Sequence, residues 1–395
     1  MGTDTSIDLI EFSIFATMKR IAVSVSNDLV SDNRVEKTCR SLQASRLDVV
    51  LIGRRRRGIN LPLGKRNYRC RRMRLLFETS ALYYAELNVR LFVFLLCHKQ
   101  DILWSNDLDT LPANYLVSKL KRLPLIYDSH EHFTEVPELK YNRFAKKAWK
   151  FFERKIVPNL TYVVTVCNPI AEYFKTEYGI NAVIVRNMPL KQSLLHNEAA
   201  KSGFNFVIRH NKPVLIWQGA VNIERGLEEL IEAMNDIEAY LYVVGEGLLL
   251  PSLKQMATAF GLNEKVFFIG RLPYPQMMAL TRQADLGLSL DKSTNMNYAI
   301  SLPNKVFEYI SAHIPLLVSD LQEIRSAIRD YEVGEFICNI SSEEIAKRIK
   351  EMLADKERLA KYKANTFAAS EVLCWENEET KIANLINEIL NKTTK

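Results

Sequence analysis

Three residues in the stretch Ser301 to Asp320, SLPNKVFEYISAHIPLLVSD, have types and spacing suited to holding a phosphate-bearing ligand. Pro303 fits the opening turn of a helix, where its missing N–H costs nothing, and Val306, Phe307, Ile310 and Ala312 follow at helical spacing. The uncovered N–H groups of a helix start attract anions. Lys305 adds a cation there, and Glu308, about one turn further in, reaches whatever the phosphate carries. The same residues also make an ordinary start signal with a solvated face, and both readings stand at this point. A second polar set, Asn106, Asp107, Asp128, His130 and Glu131, follows two apolar runs that read as strands. In α/β domains ligands bind beyond such strand ends, and a histidine beside acids titrates near neutrality. Its plainer role would be to anchor the loop that carries it.

These residues need alternating strands and helices to hold them, and the chain supplies two runs of that pattern. In the first, RIAVSVS, DVVLIGR, DILWSND, LPLIYDSHE, TYVVTVCN and AVIVRN read as strands between helical segments. Periodicity fades over 191–212, which reads as a connector. The second run has PVLIWQG, AYLYVVGEG, KVFFIGR, ADLGLSL, IPLLVSD and GEFICNI as strands, with ERGLEELIEAM and LPSLKQMATAFG as helices. From Ser342 onward the pattern is almost wholly helical. The expected organisation is an extension over 1–17, a first domain over 18–190, a second over 213–372, and a last helix over 373–395 that packs towards the first domain.

At 395 residues the chain is too long for one ordinary core, and 48% apolar with 25% charged residues is the composition of a globular protein. The six cysteines are scattered without a C-x-x-C pair, so neither a zinc site nor a disulfide framework is indicated, and a reducing cytoplasm fits. The first seventeen residues lack the build of a secretory signal, and Met18 is a plausible start. The net charge of +7 is uneven: Arg54 to Arg74 holds ten Lys/Arg and no Asp or Glu. That segment is either a solvated loop or a patch for an anionic surface, lipid or nucleic acid. The apolar, aromatic run Leu75 to Leu96 after it favours lipid. Glu78, Glu86 and Arg90 interrupt that run, so it is expected to pack in its own domain with arginines touching headgroups, not to span.

No G-x-G-x-x-G, no G-x-x-x-x-G-K-[ST], no H-E-x-x-H and no G-x-S-x-G is present, which disfavours dinucleotide dehydrogenases, P-loop NTPases and common hydrolases. The segments IWQGAVNIERGLEELIEAM, LYVVGEG, KVFFIGRLPYPQMMALTRQADLGLSL and SLPNKVFEYISAHIPLLVSD, in this order, resemble the donor-binding half of a family 4 retaining glycosyltransferase. SNDLVSDNRVEKTCRSL, DILWSNDLDTLPANYLVSKLK, LIYDSHEHFTEVPEL and VIVRNMP are similar to the acceptor side of bacterial members that build surface polysaccharides.

The resemblance implies an α/β protein of the GT-B fold, two Rossmann-like doubly wound domains facing a cleft. Carried over by position, Glu308 meets the ribose hydroxyls and Arg225 the diphosphate, with Lys305 beside it. Gly219, Gly245, Arg271, Ser301, Leu302, Pro303 and Asn304 complete the donor site, and His130 matches the family's histidine near the transferred sugar. A carboxylate accepting from vicinal hydroxyls and a guanidinium forked on phosphate agree with those roles. The pattern departs in two places: Ile300 stands where a first glutamate is usual, and Ala220 stands where an arginine usually follows the strand-end glycine. Asn297, Tyr298 or Ser301 are candidates to replace the lost sugar contact. The expectation is a retaining transferase needing no metal or other cofactor. It would use a UDP- or GDP-sugar and a glycan or lipid-linked acceptor, in the cytoplasm or on the inner membrane face, with no nucleic acid as partner. A nucleotide-sugar epimerase and a silent nucleotide-sugar-binding protein of the same fold are the alternatives.

Overall fold

The computed structural model describes residues 18–30, 32–58, 63–135, 142–191, 208, 211–294 and 296–393. The extension over 1–17 and nearly all of the connector expected over 191–212 lie outside these. The chain divides into two compact units, one made of residues up to Arg186 together with Glu378–Lys395, the other of Asn187–Asn377.

The first unit runs β1 (Arg20–Ser24), α1 (Asn33–Ala44), β2 (Asp48–Arg55), β3 (Arg69–Arg74), α2 (Ser80–Cys97), β4 (Ile102–Asn106), α3 (Asp107–Lys121), β5 (Leu125–Ser129), α4 (Arg143–Ile156), β6 (Tyr162–Thr165), α5 (Asn168–Tyr178) and β7 (Val183–Ile184). Its seven strands lie in the order β3-β2-β1-β4-β5-β6-β7, every pair parallel. All residues of β4 and β5 are buried, the closing Ser105, Asn106, Asp128 and Ser129 included, and their apolar starts Ile-Leu-Trp and Leu-Ile-Tyr reflect a parallel sheet covered on both faces.

The second unit runs β8 (Val214–Gln218), α6 (Leu227–Ala233), β9 (Tyr240–Val244), α7 (Leu250–Ala259), β10 (Val266–Gly270), α8 (Tyr274–Thr281), β11 (Leu286–Ser289), a single helical turn at Met296–Ala299, α9 (Asn304–Ser311), β12 (Leu316–Ser319), α10 (Gln322–Ile328), β13 (Gly334–Ile337), α11 (Ser342–Ala354), α12 (Lys356–Val372) and the start of α13 (Trp375–Thr393). Six parallel strands take the order β10-β9-β8-β11-β12-β13. Successive residues of β8 feed opposite layers: Val214 and Ile216 pack with Val306, Phe307 and Ile310, whereas Leu215 and Trp217 pack with Leu230 and Ile231. In each sheet the order of connection reverses once, between β1 and β4 and between β8 and β11. Open α/β sheets bind ligands outside the strand ends at such a reversal.

Three local expectations change, for the basic segment, Pro303 and Arg225. The basic segment is not a loop throughout, because Arg54 and Arg55 end β2 and Arg69–Arg74 pairs with β2 as an edge strand; the Arg-Cys-Arg-Arg-Met-Arg sequence of that strand lacks the β-branched residues that mark strands. Its charges are also partly compensated from outside the segment. Arg54 is buried over the Tyr83 ring and 3.8 Å from Glu78, Arg66 lies 3.6 Å from Glu36, and Arg69 lies 2.5 Å from Asp48. Helix α2 is long and apolar enough to cross a membrane by length and composition, although Tyr83, Leu87, Leu91 and Leu95 are buried within the unit. Pro303 precedes the first turn of α9 instead of lying in it, and Arg225 lies before α6, in a turn closed by Gly226 with φ 68°.

Candidate functional site

At the reversal point of the second sheet a buried carboxylate, Asp291, follows the end of β11. It accepts from Arg225 Nη1 at 2.8 Å, lies 3.3 Å from Lys305 Nζ, and is 3.1 Å from Ser289 Oγ. Asp291 is fully buried and Lys305 is 6% exposed, so neither belongs to a solvated face. The Lys305 ammonium lies over the Trp217 ring at 4.5 Å, and the Arg225 guanidinium lies over the Tyr298 ring at 4.3 Å. Burial alone would push the Asp291 carboxyl up, but Lys305 and Arg225 outweigh it and hold it below the usual range. Burial lowers the Lys305 pKa, and Asp291 only partly restores it. Arg225 Nε is buried with no hydrogen-bond partner. Two cations thus meet one carboxylate, and the Glu308 carboxylate also acts on Lys305.

Glu308 sits half-buried on α9 and accepts from Gln218 Nε2 at 2.5 Å; Gln218 Oε1 in turn accepts from Thr281 Oγ1 at 2.7 Å. The helix is fixed against the sheet by its neighbour Tyr309, whose hydroxyl accepts from Gln218 N–H at 3.2 Å and donates to Leu288 O at 3.0 Å. Gly287 makes room for this: a Cβ there would stand 2.5 Å from the Tyr309 ring. Gly219 and Gly245 end β8 and β9 back to back, with φ 136° and 149°, and a Cβ on Gly245 would stand 1.8 Å from Gly219 O. Ser301 donates to Tyr298 O at 3.0 Å, Leu302 packs on the core, and Asn304 is exposed at the start of α9. Arg271 is exposed at the end of β10, and among the described residues no hydrogen bond or ion pair joins it to the Asp291 cluster.

In the first unit the end of β5 and the start of α3 meet at His130. Its N–H donates to Asp107 Oδ1 at 3.0 Å, its Nδ1 lies 3.3 Å from Asp107 Oδ2, and its Nε2 lies 3.3 Å from Asp128 Oδ2. Asp128 also accepts from Arg34 at 2.8 Å, and Arg34 reaches Val185 O at 2.8 Å. Burial disfavours the imidazolium, yet Asp107 and then Asp128 overcome it and push His130 up to about 9. The Asp128 carboxyl, despite burial, is held well below its usual range by Arg34 and His130. Burial, with Asp107 nearby, pushes Asp109 up to about 7.

The structure thus joins Arg225 with Lys305 at Asp291 after β11, and ties Glu308 to the end of the neighbouring strand β8 through Gln218. Sequence reasoning missed Asp291, Gln218 and Arg34. The one available signal was that Asp291 and Gln218 close apolar strand runs. Among the described residues no group of three or more His, Cys, Asp or Glu side chains is arranged to hold a metal ion.

Comparison with known proteins covers both halves. Residues 31–190 match the model of the glycosyl transferase 4-like domain and residues 200–368 that of glycosyl transferases group 1. No curated protein matches by sequence. Among solved structures, sucrose-phosphate synthase from Thermosynechococcus elongatus aligns with TM-score 0.76 at 14% identity, over 95% of this chain and 100% of that one. A glycosyltransferase from Rickettsia africae gives 0.70 at 13%, over 95% and 99%. Anabaena HepE in complex with UDP-glucose gives 0.69 at 15%, over 93% and 99%. At these identities the likeness shows the fold, which is GT-B.

Proposed function

We propose that this chain, a glycosyltransferase of GT-B type, is a retaining, metal-independent enzyme that moves a hexose from a UDP- or GDP-sugar to a glycan or lipid-linked acceptor. Its place would be cell-surface polysaccharide synthesis, at the cytoplasmic face of the membrane, held there by the basic segment 54–74. The observation that carries the donor assignment is the Asp291 cluster, whose two cations meet one carboxylate at the sheet's reversal point, with Glu308 a turn along α9. UDP-glucose bound by HepE supports a nucleotide-sugar donor.

In this reading the diphosphate meets the Arg225 and Lys305 cations, and Glu308 accepts from the ribose hydroxyls. Gly219 and the 301–304 segment approach the nucleotide by backbone. Gly245 acts by fixing the end of β8, and Arg271 is the outermost donor residue. The bond from the anomeric carbon to the diphosphate breaks, and the acceptor oxygen joins that carbon on the same face. Its proton passes to the departing phosphate oxygen. Cations already in place stabilise that leaving charge without reorganising. Both ring nitrogens of His130 face carboxylates, Nδ1 that of Asp107 and Nε2 that of Asp128, so its part is to hold this strand end in place beside the transferred sugar and not to act as a base.

Calorimetric titration with UMP, UDP, GMP and GDP tests the assignment. Glu308→Gln is expected to weaken mono- and diphosphate alike by about 1–3 kcal/mol, because a hydroxyl loses its charged acceptor. Arg225→Ala should cost the diphosphates far more than the monophosphates. Wild-type affinity in a folded Glu308→Gln protein would remove Glu308 from the site. Product analysis with and without acceptor separates transfer from epimerisation, and nucleotide binding without turnover would leave a binding protein.

A further inference from the structure

The outer edge of the first sheet carries a groove that donor chemistry does not use. It has a volume of about 810 Å³ between β3 and α2, and its lining includes Arg71, Arg72 and Arg74 from β3 and Val89, Arg90 and Val93 from α2. No Asp or Glu lines it, although Arg90 also meets Glu86 at 2.7 Å. Helix α2 adds a second feature beside it. Leu82, Val89, Val93 and Leu96 are 56%, 64%, 52% and 41% exposed, and their spacing places them on one side of the helix, away from buried Tyr83, Leu87, Leu91 and Leu95. Single exposed apolar residues are ordinary, but a stripe of them along a cationic groove is not.

The lining asks for two things from one occupant. The arginines match phosphate oxygens, and the stripe gains from leaving water. A nucleic acid would satisfy the cations and leave the stripe wet. An anionic lipid satisfies both, since its phosphate stands directly above an apolar layer. Because the inward side of α2 is committed to the core, the helix would lie along the interface and not cross it.

We propose that the groove between β3 and α2 seats the phosphate headgroup of an anionic membrane lipid, with the outer stripe of α2 resting in the interfacial layer. The inference rests on the membrane location given above and turns a diffuse basic segment into a defined seat. It makes charge and apolar contact separately necessary.

Flotation of the full chain with phosphatidylcholine vesicles, and with vesicles one-third phosphatidylglycerol, tests it. The wild type is expected to bind the anionic vesicles only and to be released by salt. The double variant R71Q/R74Q, at exposed edge positions, should lose on the order of twentyfold in partitioning, whereas K347Q/K350Q, equal in net charge but on the second unit, should lose little. V89N/V93N should lower binding with charge unchanged. A thermal melt shows that each variant is folded. No wild-type binding to either vesicle would overturn the membrane location itself. Binding by the wild type with equal losses in the two charge variants, or none in V89N/V93N, would overturn the seat alone.

Discussion

Asp107 carries a positive φ of 57°, a conformation that asparagine and aspartate tolerate better than most residues, and so aims both carboxylate oxygens at His130. The His130 pKa of about 9 stands above its ordinary 6.5. A raised pKa means that the charged form stabilises the fold; that stabilisation is full below about pH 6.5 and is lost as pH rises through about 9. NMR titration of the His130 ring should therefore show a midpoint well above 6.5, and Asp107→Asn should lower it by removing the largest charge partner. An ordinary midpoint in the wild type, or no change in the variant, would show that the acids do not hold the imidazolium. Strand-end position exposed His130 to sequence reasoning, and helix spacing exposed Lys305 and Glu308. Asp107 and Asp128 were legible beside His130, but Arg34 and Asp291 stayed hidden because ion pairing is a tertiary fact: Arg34 and Asp128 are 94 positions apart, and Arg225 and Asp291 are 66.

The element that places the donor residues is the pair of strand ends at β8 and β9. Gly245→Ala should destabilise the protein by more than about 2 kcal/mol, since it combines a disfavoured backbone with a Cβ driven into Gly219 O. Gly261→Ala, with φ 69° but nothing within 4 Å of its Cβ, should cost only the left-handed penalty of about 1–2 kcal/mol. Urea unfolding of the two variants compares them, and equal losses would mean that the crossing is soft. Most strands were legible because buried parallel strands are apolar over most of their length. Strand β3 was not, since an edge strand needs only one partner and its arginines face water, which also discourages pairing with another chain.

At the scale of the molecule, the two units do not divide the chain simply, because Glu378 onward belongs to the first. There α13 buries Ile382, Leu385, Ile386 and Ile389, and Glu378 and Glu379 accept from Arg186 N–H and Ser41 Oγ, each at 2.8 Å. Each such aliphatic side chain contributes about 1.5–3 kcal/mol, so four rival a domain's whole margin of about 5–15 kcal/mol. Ending the chain after Asn377 should strip hydrogen-exchange protection from β1, β4 and β5 and leave β8, β9 and β11 protected. Uniform loss, or none, would contradict this. The arrangement also sets an order of completion during synthesis. The ribosome releases the first sheet early, but the helix that closes it comes after the whole of the second unit. At about 5–20 residues per second that is a wait of roughly ten to forty seconds. The half that is made first is finished last, and it spends that interval with an apolar seat open to chaperones.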